Sequence, residues 1–207
     1  MKRFIFDLDC TLLTGDYSGE EEYFKEVLGN DSRNFLDKLF PALLEYENSF
    51  FKYDVSTLSA FLTDTTGVNV TDEIVEGWIE NNMLMDDYIE DGTIELLEYL
   101  KNNNKSIAVL TNWFSRLQIE RLKKAGIYKY FDDIYCGDQF TKPHKEAYLN
   151  ACGIYKPSEC LMIGDSLDKD YIAPRGIGMD SVLYDKEDKY HKTLNKVKRL
   201  NEIIGRY

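Results

Sequence analysis

The chain is poor in the residues that break or staple a fold. Its 207 residues include only four prolines and thirteen glycines, too few for long disordered linkers. No apolar run approaches the length of a transmembrane helix. The four cysteines, Cys10, Cys136, Cys152 and Cys160, have no close pair spacing, which argues against a zinc site. Three of them lie in or beside apolar runs and are expected to be buried free thiols. The two histidines, His144 and His191, have no partners for a recognisable triad and read as surface residues. Positive charge is also scarce: the formal net charge is −12, which makes nucleic acid and anionic membrane surfaces poor partners. Met1-Lys2-Arg3 and the apolar residues after it mimic the start of a signal peptide. Asp7 and Asp9 interrupt that stretch too early, so a cytoplasmic protein is expected.

What is present points to a folded protein of two unlike parts. Hydrophobic residues make up 43% and charged residues 30% of the chain, as in soluble globular proteins. Residues 14–90 hold eighteen acids and four bases, a net of −14, so the remainder is +2. A difference of this size marks two structural units. After residue 90, helical patterns alternate with short apolar runs: 106–110, 134–136, 160–163 and 181–184 read as strands. Helices are expected near 94–100, from Ser115 to Ala125 with Ser115 and Gln118 as a capping box, and from Pro143 to Cys152. The basic tail from Lys189 to Ile204 reads as a surface helix. This repetition implies an α/β fold with a doubly wound parallel sheet. Residues 15–90 break the pattern and read as several amphipathic helices with no convincing strand. The expected division is therefore an α/β core formed by 1–14 and 91–207, with a helical insertion at 15–90, far longer than an ordinary loop.

The chemistry-bearing residues gather at strand ends. Phe4-Ile5-Phe6 is a short run of strand formers that stops at Asp7-Leu8-Asp9-Cys10-Thr11. The second strand ends in Thr111-Asn112 and the fourth in Gly164-Asp165, with Asp168 and Asp170 just beyond. Lys142 lies between the third and fourth strands. In a parallel sheet these ends share one rim, where open α/β folds bind ligands. Carboxylates, a hydroxyl and an ammonium together suit an oxygen-ligated Mg²⁺ with a phosphate beside it.

These four segments, in this order, resemble the four motifs of the haloacid dehalogenase superfamily of phosphohydrolases, and the insertion matches that family's helical cap between motifs one and two. The resemblance spans the whole chain and implies a Rossmann-like core, a small phosphorylated substrate and an aspartyl-phosphate intermediate. It implies Asp7 as nucleophile and Asp9 as the acid that protonates the leaving alkoxide and then takes a proton from water. Mg²⁺ would be held by Asp7, the Asp9 backbone carbonyl and Asp165. Thr111, Asn112 and Lys142 would bind phosphate oxygens. Asp170, in preference to Asp168, would brace the metal site. A phosphotransferase such as a sugar-phosphate mutase shares these motifs, and a non-catalytic regulatory protein is the alternative from another class. A dehalogenase would need neither Asp9 nor the metal acids.

Two residues depart from the family pattern. Cys10 stands where glycine is usual after the second acid, and two neighbouring carboxylates should raise its thiol pKa. Pro174 interrupts the helix expected after Asp165 and is tolerable only in a first helical turn. Among residues that could reach a leaving group are Tyr17, Tyr23, Phe24, Tyr46, Phe50, Phe51 and Tyr53 of the insertion, and Asn112, Trp113 and Arg116 of the core.

Overall fold

Successive side chains of a strand point to opposite faces, so a strand covered on both sides must be apolar throughout. The strands, in chain order, are β1 (Arg3–Phe6), β2 (Leu13–Gly15), β3 (Asp87–Ile89), β4 (Ser106–Leu110), β5 (Asp133–Tyr135), β6 (Cys160–Gly164), β7 (Asp180–Tyr184) and β8 (Lys196–Val197) in a computed structural model that describes residues 1–207. Six of them form one sheet in the order β5-β4-β1-β6-β7-β8, with every pair parallel. The helices are α1 (Ser18–Leu28), α2 (Ser32–Ser49), α3 (Val55–Thr66), α4 (Asp72–Leu84), α5 (Thr93–Asn102), α6 (Ser115–Lys124) and α7 (Lys145–Cys152).

Phe4, Phe6, Ile107, Val109, Leu161 and Ile163 pack with Leu96, Leu97 and Leu100 of α5 and Leu122 of α6. Ile5, Ala108, Leu110 and Met162 pack on the other face with Ala147, Tyr148 and Ala151 of α7. The sheet is thus doubly wound. From β1 the chain steps outward through β4 and β5, then returns past β1 to β6 and β7. The order reverses at β1, which places the crevice for ligands beside its carboxyl end.

Helices α1 to α4 lie between β2 and β3 and build a second core, which Phe114 and Leu117 at the start of α6 join. Phe24, Phe35, Leu58, Val75 and Ile79 are buried there, and the Phe24 ring lies 4.7 Å from Phe35 and 5.2 Å from Trp78. Asp54 caps α3 by accepting from the Thr57 amide, and Gly67 ends it in the left-handed region. The two connections to the sheet pair as an antiparallel ribbon, with Leu13 opposite Ile89 and Gly15 opposite Asp87. This ribbon is missing from the sequence reading because each strand is three residues long, too short to show a period.

Three further expectations change. The basic tail is not a helix: it contributes β8 and a 3₁₀ turn, Leu200–Ile203. Val197, Leu200 and Ile203 are all buried in the main core; a spacing of three fits a 3₁₀ turn as well as one helical face. The Asp185 carboxylate organises the preceding loop by accepting from the Lys189 and Tyr190 amides and from Lys196 Nζ. Pro143 precedes α7 instead of starting it. At the start of α6 there is no capping box: Phe114 is the N-cap, and the Ser115 amide and hydroxyl both donate to Asp138. Pro174 does lie in the first turn of a short helical stretch, Ala173–Arg175, that follows the wide turns of Leu167–Ile172.

The turn after β1 is tight. The Leu8 carbonyl accepts from the amides of Thr11, Leu12 and Leu13, and the Cys10 amide donates to the Leu13 carbonyl. Cys10 sits at φ +57° to make this turn, a region that costs an L-residue roughly 1–2 kcal/mol, part of which glycine gives back as backbone entropy. Cys10→Gly is therefore expected to stabilise the fold by up to about 1 kcal/mol, read as a higher urea midpoint at unchanged slope. A lower midpoint would show that the thiol contributes more by packing than its backbone costs.

Candidate active site

The ends of β1 and β6 bring three carboxylates together. Oxygens of Asp7, Asp165 and Asp170 all lie within 4.8 Å of one another. Asp7 is 8% and Asp170 0% exposed, so their charge needs a partner. Lys142 supplies it: its Nζ lies 2.8 Å from Asp7 Oδ1 and 2.7 Å from Asp170 Oδ1, and the side chain is itself buried. Burial pulls the ammonium down, but Asp170 and Asp7 outweigh it and hold the lysine above its ordinary range. Burial pushes Asp7 well above the usual carboxylate range; Lys142 opposes this, while Asp170 and Asp165 add to it. Asp165 is pushed up to about 6 by burial and then by the Asp170 charge.

Local sequence explains how these groups can approach. A Cβ at Gly164 would come within 2.3 Å of the Asp170 carboxylate, so only glycine lets that acid fold back over the strand end. The Ser166 amide donates to its second oxygen. Asp168, two residues earlier, is exposed and outside the cluster. Asn112 holds the Lys142 backbone from both sides: its amide donates to the Lys142 carbonyl at 3.0 Å, and its Oδ1 accepts from the Lys142 amide at 2.8 Å. Just ahead, Thr141 donates through its amide to Phe51 and through its hydroxyl to Phe50, which ties the lysine loop to the helical layer. The Asn112 side chain, expected at a phosphate, is thus spent on placing Lys142. Thr111 lies buried at the end of β4 and its hydroxyl accepts from Gln118.

Asp9 has unexpected company. Its Oδ1 accepts from Arg121 at 2.5 Å and from the Tyr17 hydroxyl at 2.8 Å; its Oδ2 accepts from Gln118 at 2.9 Å. Arg121 is almost fully buried and also binds Asp87 on β3 at 2.7 Å. Sequence reasoning missed Gln118 and Arg121. Both fall on the face of α6 that buries Leu117 and Leu122, and two long polar side chains on an apolar helix face were the available signal.

These residues line a cavity of about 1070 Å³ between the sheet and the helices. Of the proposed lining side chains, Tyr17, Tyr53, Asn112 and Trp113 reach it, whereas Tyr23, Phe24, Tyr46, Phe50 and Phe51 do not. Trp113 packs on Trp78 at 4.6 Å. Arg116 is turned away and pairs with Glu76. His144 is half-buried, not a surface residue: its ring lies 4.4 Å from Phe51, and its Nε2 is buried without a partner. Cys136, Cys152 and Cys160 are buried free thiols as expected, and Cys10, pushed up to about 11 by burial and then by Asp165 and Asp9, is a weak nucleophile.

The acid cluster sets a pH dependence. Asp165 titrates near 6 in the fold against about 3.9 in the unfolded chain, so the folded state binds the extra proton. Stability from this group is lost as pH rises from about 4 through 6, a matter of about 3 kcal/mol. A divalent cation bound between the carboxylates would offset that loss. The gain in unfolding midpoint on adding Mg²⁺ is therefore expected to be larger at pH 7.5 than at pH 5. Asp165→Asn should be more stable than the parent in EDTA at pH 7.5 and gain little from Mg²⁺. An equal Mg²⁺ gain at both pH values would contradict this.

Comparison with known proteins bears on the fold and the family. A family model for haloacid dehalogenase-like hydrolases matches residues 1–178. Glyceraldehyde 3-phosphate phosphatase from Methanocaldococcus jannaschii is 31% identical over 125 residues, 54% of each chain. Phosphoglycolate phosphatase from Thiobacillus denitrificans is 37% identical over 92 residues, 42% of this chain and 40% of that one. The chain thus matches about half the length of these curated relatives, or less. Among solved structures, the HAD-hydrolase YfnB from Bacillus subtilis, bound to magnesium, superposes with a TM-score of 0.67 at 21% identity, covering 98% of this chain and 96% of that one. L-2-haloacid dehalogenase from Xanthobacter autotrophicus reaches 0.72 at 14% identity, with the same coverage. At such identities the structures speak for the fold, and the family model for the relationship: the protein is a member of the haloacid dehalogenase-like hydrolase family.

Proposed function

We propose that the protein is a Mg²⁺-dependent phosphomonoesterase that acts on a small phosphorylated molecule through an aspartyl-phosphate. The observation that carries this reading is the buried group of Asp7, Asp165 and Asp170 with Lys142 set against two of them. An all-oxygen set of hard donors suits Mg²⁺. Asp7, Asp165 and the Asp9 backbone carbonyl would hold the ion, with Asp170 supporting them, and the bound ion would offset negative charge on the nucleophile and the phosphoryl oxygens.

The chain's own groups then divide the reaction. An Asp7 carboxylate oxygen attacks phosphorus as the ester oxygen departs, giving an acyl phosphate on Asp7. Asp9 gives its proton to the departing alkoxide. In the second half, Asp9 takes a proton from water, whose oxygen attacks phosphorus; the acyl phosphate P–O bond breaks, and inorganic phosphate and free Asp7 result. Lys142 and the Thr111 hydroxyl face the phosphoryl oxygens as charge redistributes. In its resting position Asp9 accepts from Arg121, Tyr17 and Gln118, so it serves as proton donor only after one of these bonds opens. Residues 15–90 act as the cap that excludes bulk water.

Asp7→Asn keeps the size of the nucleophile and removes its chemistry. Turnover of p-nitrophenyl phosphate with Mg²⁺ is expected to fall at least about 1,000-fold, with the phosphorylated peptide containing Asp7 seen by mass spectrometry only in the parent. Full activity in Asp7→Asn would overturn the assignment.

A further inference from the structure

The helix α2 carries two apolar faces. One, formed by Phe35, Leu39, Ala42 and Tyr46, is packed in the core of the helical layer. The other is formed by Leu36, Phe40, Leu43 and Leu44, which line the active-site cavity; Leu36 and Leu43 are half-buried against the edge of that same core, and Phe40 and Leu44 are exposed. Together with Glu47 they follow the spacing i, i+4, i+7, i+8, i+11, a single stripe along the helix. Phe40 is 70% and Leu44 37% exposed. A helix that is apolar on two faces is normally covered on both. Here the second face lines the same cavity as the carboxylates.

Charge in the same cavity is set against anions. Its cations are all engaged: Lys142 with Asp7 and Asp170, Arg121 with Asp9 and Asp87, and Lys169 with Glu47. Glu20 and Asp168 line it without a basic partner. The Glu20 carboxylate accepts only from neutral donors, Trp78 Nε1 and the Asn82 amide. No free cation awaits a second phosphate or a carboxylate. At about 1070 Å³ the cavity is at the upper end of the range for small-molecule sites, with far more room than a phosphoryl group requires.

Resting on the phosphatase reading, we infer that the leaving group of the substrate is an extended apolar alcohol without a second anionic group, and that the α2 stripe of Leu36, Phe40, Leu43 and Leu44 selects it. The phosphoryl end lies at Asp7 and the apolar body along α2, out of water. A small polar ester fits the cavity but leaves the stripe bare, and an anionic leaving group meets Glu20 with no cation to compensate.

Binding of n-alkylphosphonates from methyl to octyl, measured by calorimetry with Mg²⁺ present, tests this without turnover. The dissociation constant is expected to fall about two- to fourfold for each methylene added. Phosphonoacetate should bind more weakly than propylphosphonate. Phe40→Ser and Leu44→Ser alter exposed side chains; each should flatten the chain-length dependence and leave methylphosphonate binding unchanged. A flat dependence in the parent overturns the inference, as does tighter binding of phosphonoacetate. A concentration-dependent dimer abolished by Phe40→Ser, with the slope intact, assigns the face to a second copy of the chain and also overturns it. If the slope appears but the protein fails to turn over any ester, including p-nitrophenyl phosphate, the apolar subsite stands and the phosphatase reading falls.

Discussion

The architecture of the site depends on one buried ammonium. Asp7 and Asp170 are both almost without solvent, and Lys142 lies within 2.8 Å of each. Like charges this close cannot both stay ionised in a poorly solvated place unless a cation sits with them. The rest of the rim can be read as support for that cation. Asn112 fixes its backbone, Thr141 ties its loop to Phe50 and Phe51, and Gly164 clears the space that Asp170 needs. The lysine leaves the acids short of full compensation, because burial and the neighbouring carboxylates still hold Asp7 and Asp165 above the usual carboxylate range. That residual deficit is what a divalent cation would meet.

The strand-end acids were legible because their signal is local. An apolar run that halts at an acid identifies both the strand and the side of the sheet where the acid emerges, and two such halts in one parallel sheet, at Asp7 and Asp165, must meet on one rim. The two-part division of charge was legible for the same reason, since it is a property of contiguous residues. What stayed hidden depends on distant partners. Arg121 reaches Asp9 across 112 residues and Asp87 across 34, and nothing near Arg121 in sequence announces either contact. Gln118 had the right spacing for a helix cap, yet the start of α6 is satisfied from outside by Asp138. The C-terminal strand was disguised by its lysines. Lys196 pairs with Asp185 and Asp188, while the buried part of the tail rests on Val197, Leu200 and Ile203 alone.

Asp9 is where the two parts of the molecule meet. Tyr17 lies on the chain leaving the ribbon for α1, and Asp87 on the chain returning from α4. Both are bound to the same pair, Tyr17 to Asp9 directly and Asp87 through Arg121. The Asp9 carboxylate is thereby tied to both linkers between the helices and the sheet. A carboxylate with donors on both oxygens is an acceptor and has no proton to give. The same group with one of these bonds opened is free to exchange a proton with an alcohol or a water. The two demands that the proposed mechanism makes on Asp9, donor in one half of the reaction and acceptor in the other, therefore call for two bonding states of this one carboxylate. Arg121, which keeps its charge, is the link between Asp9 and Asp87.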